Sequence, residues 1–133
     1  MTEPAPATEA PLRVLVVDSD DQIRESLTRL LRIGGRCLVV GSAGHPDAAL
    51  ALAQAMSPDV AVIDSRVSGS SASGAFLDCL RAVVPGVRVV ALSWSDATDR
   101  GTGILGADAY IRKTFRSHEL IDAVVAAARP TVD

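Results

Sequence analysis

The stretch LRVLVVDSDDQIRESLTRLL, residues 12–31, decides the fold of this chain. Its first part, LRVLVVD (12–18), is a short Val/Leu run that ends in an acid, which is typical of a strand buried on both faces. The second part carries four apolar residues with helical spacing, Ile23, Leu27, Leu30 and Leu31. A buried strand followed directly by an amphipathic helix is the repeating unit of an α/β protein.

The rest of the chain repeats this unit. The predicted strands after the first are CLVVGSA (37–43), DVAVID (59–64), VRVVALS (87–93) and ADAYIRK (107–113). The predicted helices after the first are 46–56, 75–84, a weak helix near 96–105 and 117–129. Five strands alternating with five helices predict a doubly wound parallel sheet with right-handed crossovers.

Length and composition limit the class of protein. The 133 residues fit one domain, predicted at 12–129, between a disordered tail at 1–11 and a short C-terminal tail at 130–133. A net charge of -3 argues against a nucleic-acid-binding surface. No membrane-length apolar segment and no signal peptide are present, so a cytoplasmic location is predicted. Cys37 and Cys79 lie in apolar runs, which predicts buried thiols rather than a disulfide or metal site.

Polar residues end four of the predicted strands. In an open parallel sheet, ligands bind outside the carboxyl ends of the strands, where the strand order reverses. Two carboxylates, a hydroxyl and an ammonium are therefore expected to meet in one crevice, from Asp18, Asp64, Ser93 and Lys113.

Four segments in order resemble the motifs of response-regulator receiver domains, the family of the chemotaxis regulator. They are VLVVDSDDQIRESLTRLL, PDVAVIDSRVSG, VRVVALS and GADAYIRK, and with the elements between them they span nearly the whole chain. The resemblance implies a flavodoxin-like sheet in the order 2-1-3-4-5 with five helices.

The resemblance also implies roles for single residues. Asp64 matches the aspartate that accepts a phosphoryl group, and Lys113 matches the lysine that pairs with it. Ser93 matches the hydroxyl residue that hydrogen-bonds the phosphoryl group and shifts when it arrives. Tyr110 matches the aromatic switch residue of the fifth strand, although a tyrosine there can also simply fill surface between helices.

A magnesium site follows from the same resemblance, with one departure. Asp18, Asp64 and the backbone carbonyl of Arg66 match the family's ligands for Mg²⁺. The second member of the family's acidic pair is here Ser19, a neutral residue in a degraded ligand position, so weak Mg²⁺ binding is expected. Asp20 and Asp21 suit the start of a helix, and either is an alternative third carboxylate.

The resemblance implies a single-domain receiver in two-component phosphorelay signalling. It would accept a phosphoryl group on Asp64 from a histidine kinase or phosphotransfer protein and thereby switch the binding of an unknown protein partner. Apart from slow self-catalysed phosphoryl transfer, such a receiver would not be an enzyme. It would contact no nucleic acid or membrane, and a homodimer is possible. The alternative is a pseudo-receiver that docks partners without phosphorylation, which Ser19 and the bulky Trp94 beside the site favour.

Overall fold

The computed structural model describes residues 10–67, 73–93 and 106–128. The strands are β1 (Leu12–Val17), β2 (Cys37–Ala43), β3 (Val60–Asp64), β4 (Arg88–Ser93) and β5 (Ala109–Arg112). The helices are α1 (Asp21–Arg32), α2 (Pro46–Met56), α3 (Ser73–Val83) and α4 (Ser117–Ala128). The weak helix expected near 96–105 and the residue Trp94 lie outside the described residues.

The strands form one parallel sheet in the order β2-β1-β3-β4-β5, as predicted. From β1 the chain first adds β2 at one edge and then crosses to add β3 on the other side of β1. The strand order therefore reverses between β1 and β3, which opens a crevice at their carboxyl ends. None of the helices in the described part of the chain is long and apolar enough to cross a membrane.

Each face of the sheet carries its own apolar core. Alternate residues of β1 point to opposite faces, so Val14 and Val16 join one core while Leu15 and Val17 join the other. Helices α1 and α4 cover the first face, through Leu27, Leu31, Leu120, Ile121 and Val124. Helices α2 and α3 cover the second face, through Ala49, Ala53, Phe76, Leu77 and Leu80. This burial on both sides explains the nearly continuous apolar strands.

The prediction for one of the two cysteines is wrong. Cys37 is buried in the sheet as expected, but Cys79 is exposed. On α3 the buried residues are Phe76, Leu77 and Leu80, and Cys79 lies outside that stripe. An apolar run in the sequence did not identify which side of this helix faces the core.

The segment after β1 shows how the acidic residues start α1. Asp20 is the residue that caps the helix, and its carboxylate accepts hydrogen bonds from the backbone N–H groups of Gln22 (2.9 Å) and Ile23 (3.0 Å). At the other end, Gly34 has a φ of 86°, a left-handed conformation that allows the chain to turn towards β2.

Candidate functional site

The four predicted site residues all stand at the carboxyl edge of the sheet. Asp64 and Ser93 are the last residues of β3 and β4, and Asp18 and Lys113 directly follow β1 and β5. The backbone holds them there, since the N–H of Asp18 donates to the carbonyl of Ala43 (3.0 Å) and that of Lys113 to the carbonyl of Ser93 (2.7 Å).

A buried charge cluster lies at the centre of this edge. The ammonium Nζ of Lys113 is 2.7 Å from Oδ2 of Asp18 and 2.8 Å from Oδ1 of Asp64. The exposed fractions of these side chains are 0% for Lys113, 2% for Asp18 and 3% for Asp64. Lys113 therefore lies within salt-bridge reach of Asp64, as the sequence predicted, and it binds Asp18 as well.

The two carboxylates differ in how their oxygens are satisfied. Both oxygens of Asp18 accept hydrogen bonds, Oδ1 from the N–H of Asp20 (2.9 Å) and Oδ2 from Lys113. In Asp64, Oδ2 accepts a long hydrogen bond of 3.3 Å from the N–H of Arg66. Its Oδ1 is buried and faces the Lys113 ammonium at 2.8 Å, a close ion pair without the alignment of a hydrogen bond. Asp64 is thus held by one long hydrogen bond and one shared ion pair, whereas both oxygens of Asp18 accept short hydrogen bonds.

The acids that follow Asp18 are engaged away from this cluster. Ser19 is exposed, and the carboxylate of Asp20 caps α1. The carboxylate of Asp21, which is 86% exposed, pairs with the guanidinium of Arg24 at 2.7 Å. Within residues 10–67, 73–93 and 106–128, no three His, Cys, Asp or Glu side chains form a group that could hold a metal.

These groups offer a Mg²⁺ ion two carboxylates, so waters or backbone carbonyls would have to complete its coordination. Magnesium prefers oxygen ligands and keeps several of its waters. The carboxylates of Asp18 and Asp64, which share the Lys113 ammonium, supply suitable oxygens at this edge. The residues at this edge thus offer a magnesium ion two carboxylates, and the weak binding expected from Ser19 stays a prediction.

The proposed switch residue points away from the cluster. The phenol oxygen of Tyr110 accepts hydrogen bonds from the N–H groups of Gly106 (3.0 Å) and Ala107 (3.3 Å), and the residue is 40% exposed. These two amides lie before the start of β5, so the ring is fixed towards the amino end of its own strand.

Sequence reasoning missed Arg24. Its Nη1 donates to the backbone carbonyl of Asp18 at 2.8 Å, and its side chain is only 21% exposed. A signal was available, because Arg24, Leu27 and Leu31 share one face of α1 with helical spacing. A cation on a buried stripe needs a partner, and here that partner is the residue that begins the site.

Comparisons with known proteins agree with this geometry. The model of the family "Response regulator receiver domain" matches residues 14–125. TcrX of Mycobacterium tuberculosis is 34% identical over 123 residues, which are 91% of this chain and 51% of that protein. The response regulator GacA of Pseudomonas viridiflava is 32% identical over 115 residues, which are 85% of this chain and 53% of that protein.

Solved structures show the same likeness. The signal receiver domain of NarL from Mycobacterium tuberculosis superposes with a TM-score of 0.74 at 29% identity, covering 92% of this chain and 100% of that one. The chain spans about half the length of the curated relatives TcrX and GacA. On the family match, the relatives and the fold together, the chain belongs to the response regulator receiver domain family of two-component signalling proteins.

Proposed function

We propose that this chain accepts a phosphoryl group on Asp64 from a histidine kinase or phosphotransfer protein. A carboxylate oxygen of Asp64 attacks phosphorus, an O–P bond forms, and the N–P bond of the phosphohistidine breaks with its electron pair returning to the imidazole. The observation that carries this proposal is the buried Lys113 ammonium, held 2.8 Å from Asp64 Oδ1. A fixed cation at this point stabilises the charge of the incoming phosphoryl oxygens.

Magnesium has a defined place in the proposal. Asp18, Asp64 and the backbone carbonyl of Arg66 would hold the ion, which neutralises phosphoryl oxygens when it is bound. The pairing of Asp18 and Asp64 on one ammonium supports this assignment, because two buried carboxylates that share a single cation favour a further one. Ser19 contributes no charge, so the ion is held weakly.

Ser93 and Tyr110 would convert the modification into a change of surface. Ser93 is the last residue of β4, the strand between β3 with Asp64 and β5 before Lys113, and this position supports a hydrogen bond from its hydroxyl to the new phosphoryl group. Tyr110 lies two strands from Asp64, with an exposed ring fixed by backbone N–H groups. Movement of that ring would change the surface that a protein partner contacts.

Intact mass spectrometry after incubation with a small phosphodonor and Mg²⁺ tests the proposal. The expected result is the added mass of one phosphoryl group, removed by alkali or hydroxylamine as an acyl phosphate requires. Asp64→Asn should abolish the addition while keeping the fold. An addition that persists in Asp64→Asn would contradict the assignment of Asp64.

A second candidate is a receiver that docks partners without being phosphorylated. The observation that favours it is the short ligand set, since Ser19 is neutral and Asp20 and Asp21 are engaged in α1. The same experiment separates the two candidates. No added mass at saturating Mg²⁺ and phosphodonor, with Asp64 and Lys113 intact, would favour the docking module.

A further inference from the structure

We propose that Arg24 is a positioning residue for Asp18, and that Gly44 is a glycine because the guanidinium of Arg24 occupies the space of a side chain there. We call Arg24, Asp18, Asp21 and Gly44 the Arg24 clamp. The role of the clamp in phosphorylation rests on the proposed function, but the contacts within the clamp can be tested without phosphoryl transfer.

The contacts of Arg24 join the end of β1 to the start of α1. Its Nη1 donates to the backbone carbonyl of Asp18 at 2.8 Å, and its Nη2 donates to Oδ1 of Asp21 at 2.7 Å. A planar guanidinium makes the two bonds from two separate nitrogens in fixed directions, whereas an ammonium would have to make both from one nitrogen whose N–H groups rotate. The backbone of Asp18 is therefore held from the helix side by one rigid group.

Gly44 closes the clamp from the loop after β2. A Cβ atom on Gly44 would lie 3.0 Å from Nη1 of Arg24 and 3.9 Å from the carbonyl oxygen of Asp18. Gly44 has no positive φ, so its backbone conformation does not itself demand glycine. A methyl group at position 44 would therefore push the guanidinium of Arg24 by a few tenths of an ångström from where it now bonds Asp18.

The clamp fixes Asp18 without changing the charge of the site. Arg24 pairs with Asp21, so its positive charge is balanced outside the cluster. Asp18 is then held through its N–H by Ala43, through its carbonyl by Arg24, and through its carboxylate by Asp20 and Lys113. Such a fixed residue needs little reorganisation when a cation or phosphoryl group arrives.

The decisive experiment adds the same methyl group in two backgrounds. Gly44→Ala conserves every charge and displaces the guanidinium, so it should lower the rate of phosphorylation by a small phosphodonor about tenfold, as a small misplacement of a reacting group can. In an Arg24→Ala background there is no guanidinium to displace. Gly44→Ala should then change the rate by less than about twofold, the non-additivity expected of two residues in contact.

A second readout does not require phosphorylation. The N–H of Asp20 donates to Oδ1 of Asp18, so its amide NMR shift reports directly on that carboxylate. Gly44→Ala and Arg24→Ala should move this signal to a similar extent, and Arg24→Lys should restore only part of the shift. If the wild type accepts no phosphoryl group but these shifts are coupled, the clamp stands and the proposed function falls.

Gly41→Ala is the matched control, because it adds a Cβ in β2 whose nearest neighbours are atoms of Leu52, at 3.3–3.5 Å, and none of Arg24. It should leave the Asp20 amide signal in place in both backgrounds. The inference would be overturned if Gly44→Ala changed the phosphorylation rate equally with and without Arg24. It would also be overturned if Arg24→Ala left the Asp20 amide shift unchanged.

Discussion

The two ends of the sheet both combine carboxylates with cations, but they satisfy them differently. At the amino end, Oδ2 of Asp108 accepts hydrogen bonds from the N–H of Val89 (2.7 Å) and from Arg81 (3.1 Å), and the Asp108 side chain is 26% exposed. Asp59 also accepts the N–H of Arg13 there, at 2.9 Å. These two acids join the loops to the sheet. Both carboxylates are at least partly exposed, so water can solvate the oxygens that no protein group bonds.

At the carboxyl end the same kinds of group are buried and incompletely satisfied. Asp18 and Asp64 share one buried ammonium, and the other cation near them, the Arg66 guanidinium 4.0 Å from Asp64, is 70% exposed. Oδ1 of Asp64 has the shared ammonium at 2.8 Å but no aligned hydrogen bond from any described group. The difference teaches that acid–base pairs alone do not mark a site in this fold; two buried carboxylates that share one buried cation do.

The largest expected effect comes from removing the shared cation. Lys113→Met removes the buried cation from two carboxylates and leaves Asp64 only the exposed Arg66 guanidinium at 4.0 Å, so it should lower the free energy of unfolding by about 3–5 kcal/mol. Arg81→Met at the amino end should cost only about 0.2–1 kcal/mol, because its pair is partly exposed and Asp108 keeps the N–H of Val89. Urea unfolding of both variants measures the contrast.

A rescue variant sharpens this first comparison. Adding Asp64→Asn to Lys113→Met removes one of the stranded charges and should restore much of the lost stability. Equal losses for Lys113→Met and Arg81→Met, or no recovery in the double variant, would show that the carboxyl-end cluster is hydrated and is not the distinct environment described above.

Much of the fold and the position of the site could be predicted from the sequence. Parallel strands buried on both faces have nearly continuous apolar runs, so the sequence predicts the number of strands, their order along the chain and the acids at the ends of β1 and β3. It also predicts α2 at its observed bounds of 46–56. Convergence of Asp18, Asp64 and Lys113 followed from the rule that strand ends meet at one edge.

Other features depend on contacts that residue types do not encode. The exposure of Cys79 depends on which residues of α3 pack on the sheet, and those are Phe76, Leu77 and Leu80. The use of Asp20 as a helix cap and of Asp21 as a partner of Arg24 depends on loop geometry after β1. The sequence could only leave both acids open as replacements for the missing ligand, whereas the structure directs both carboxylates elsewhere.

The next largest expected effect is on the affinity for Mg²⁺, which a further carboxylate at the carboxyl end of the sheet should raise. Ser19→Asp would add a third carboxylate beside Asp18. A charge pair at about 4 Å is worth about 4 kcal/mol at an effective dielectric near 20, before desolvation is subtracted. A net gain of about 1.4 kcal/mol would tighten Mg²⁺ binding tenfold.

A Mg²⁺ titration of the wild type and Ser19→Asp checks this expectation, followed by amide NMR and by the emission of Trp94, the single tryptophan. The variant should reach half-saturation at a clearly lower Mg²⁺ concentration. Equal midpoints would mean that Asp20, Asp21 or ordered water already supplies the missing ligand, and the docking alternative would lose its main support.

The smallest expected effect lies at Tyr110, the proposed switch residue, whose ring is fixed by amides at the amino end of β5. Tyr110→Phe removes the acceptor of the Gly106 and Ala107 N–H groups. The cost should be about 0.5–1.5 kcal/mol, since amides near the surface can turn to water. Hydrogen exchange of these two amides should become faster, while that of Val89 at the Asp108 contact stays unchanged. Phe115→Leu, at another exposed aromatic residue, is the control and should leave both amides protected. Unchanged exchange in Tyr110→Phe would show that the phenol does not hold the ring outward, and the proposed switch would then start from an unrestrained tyrosine.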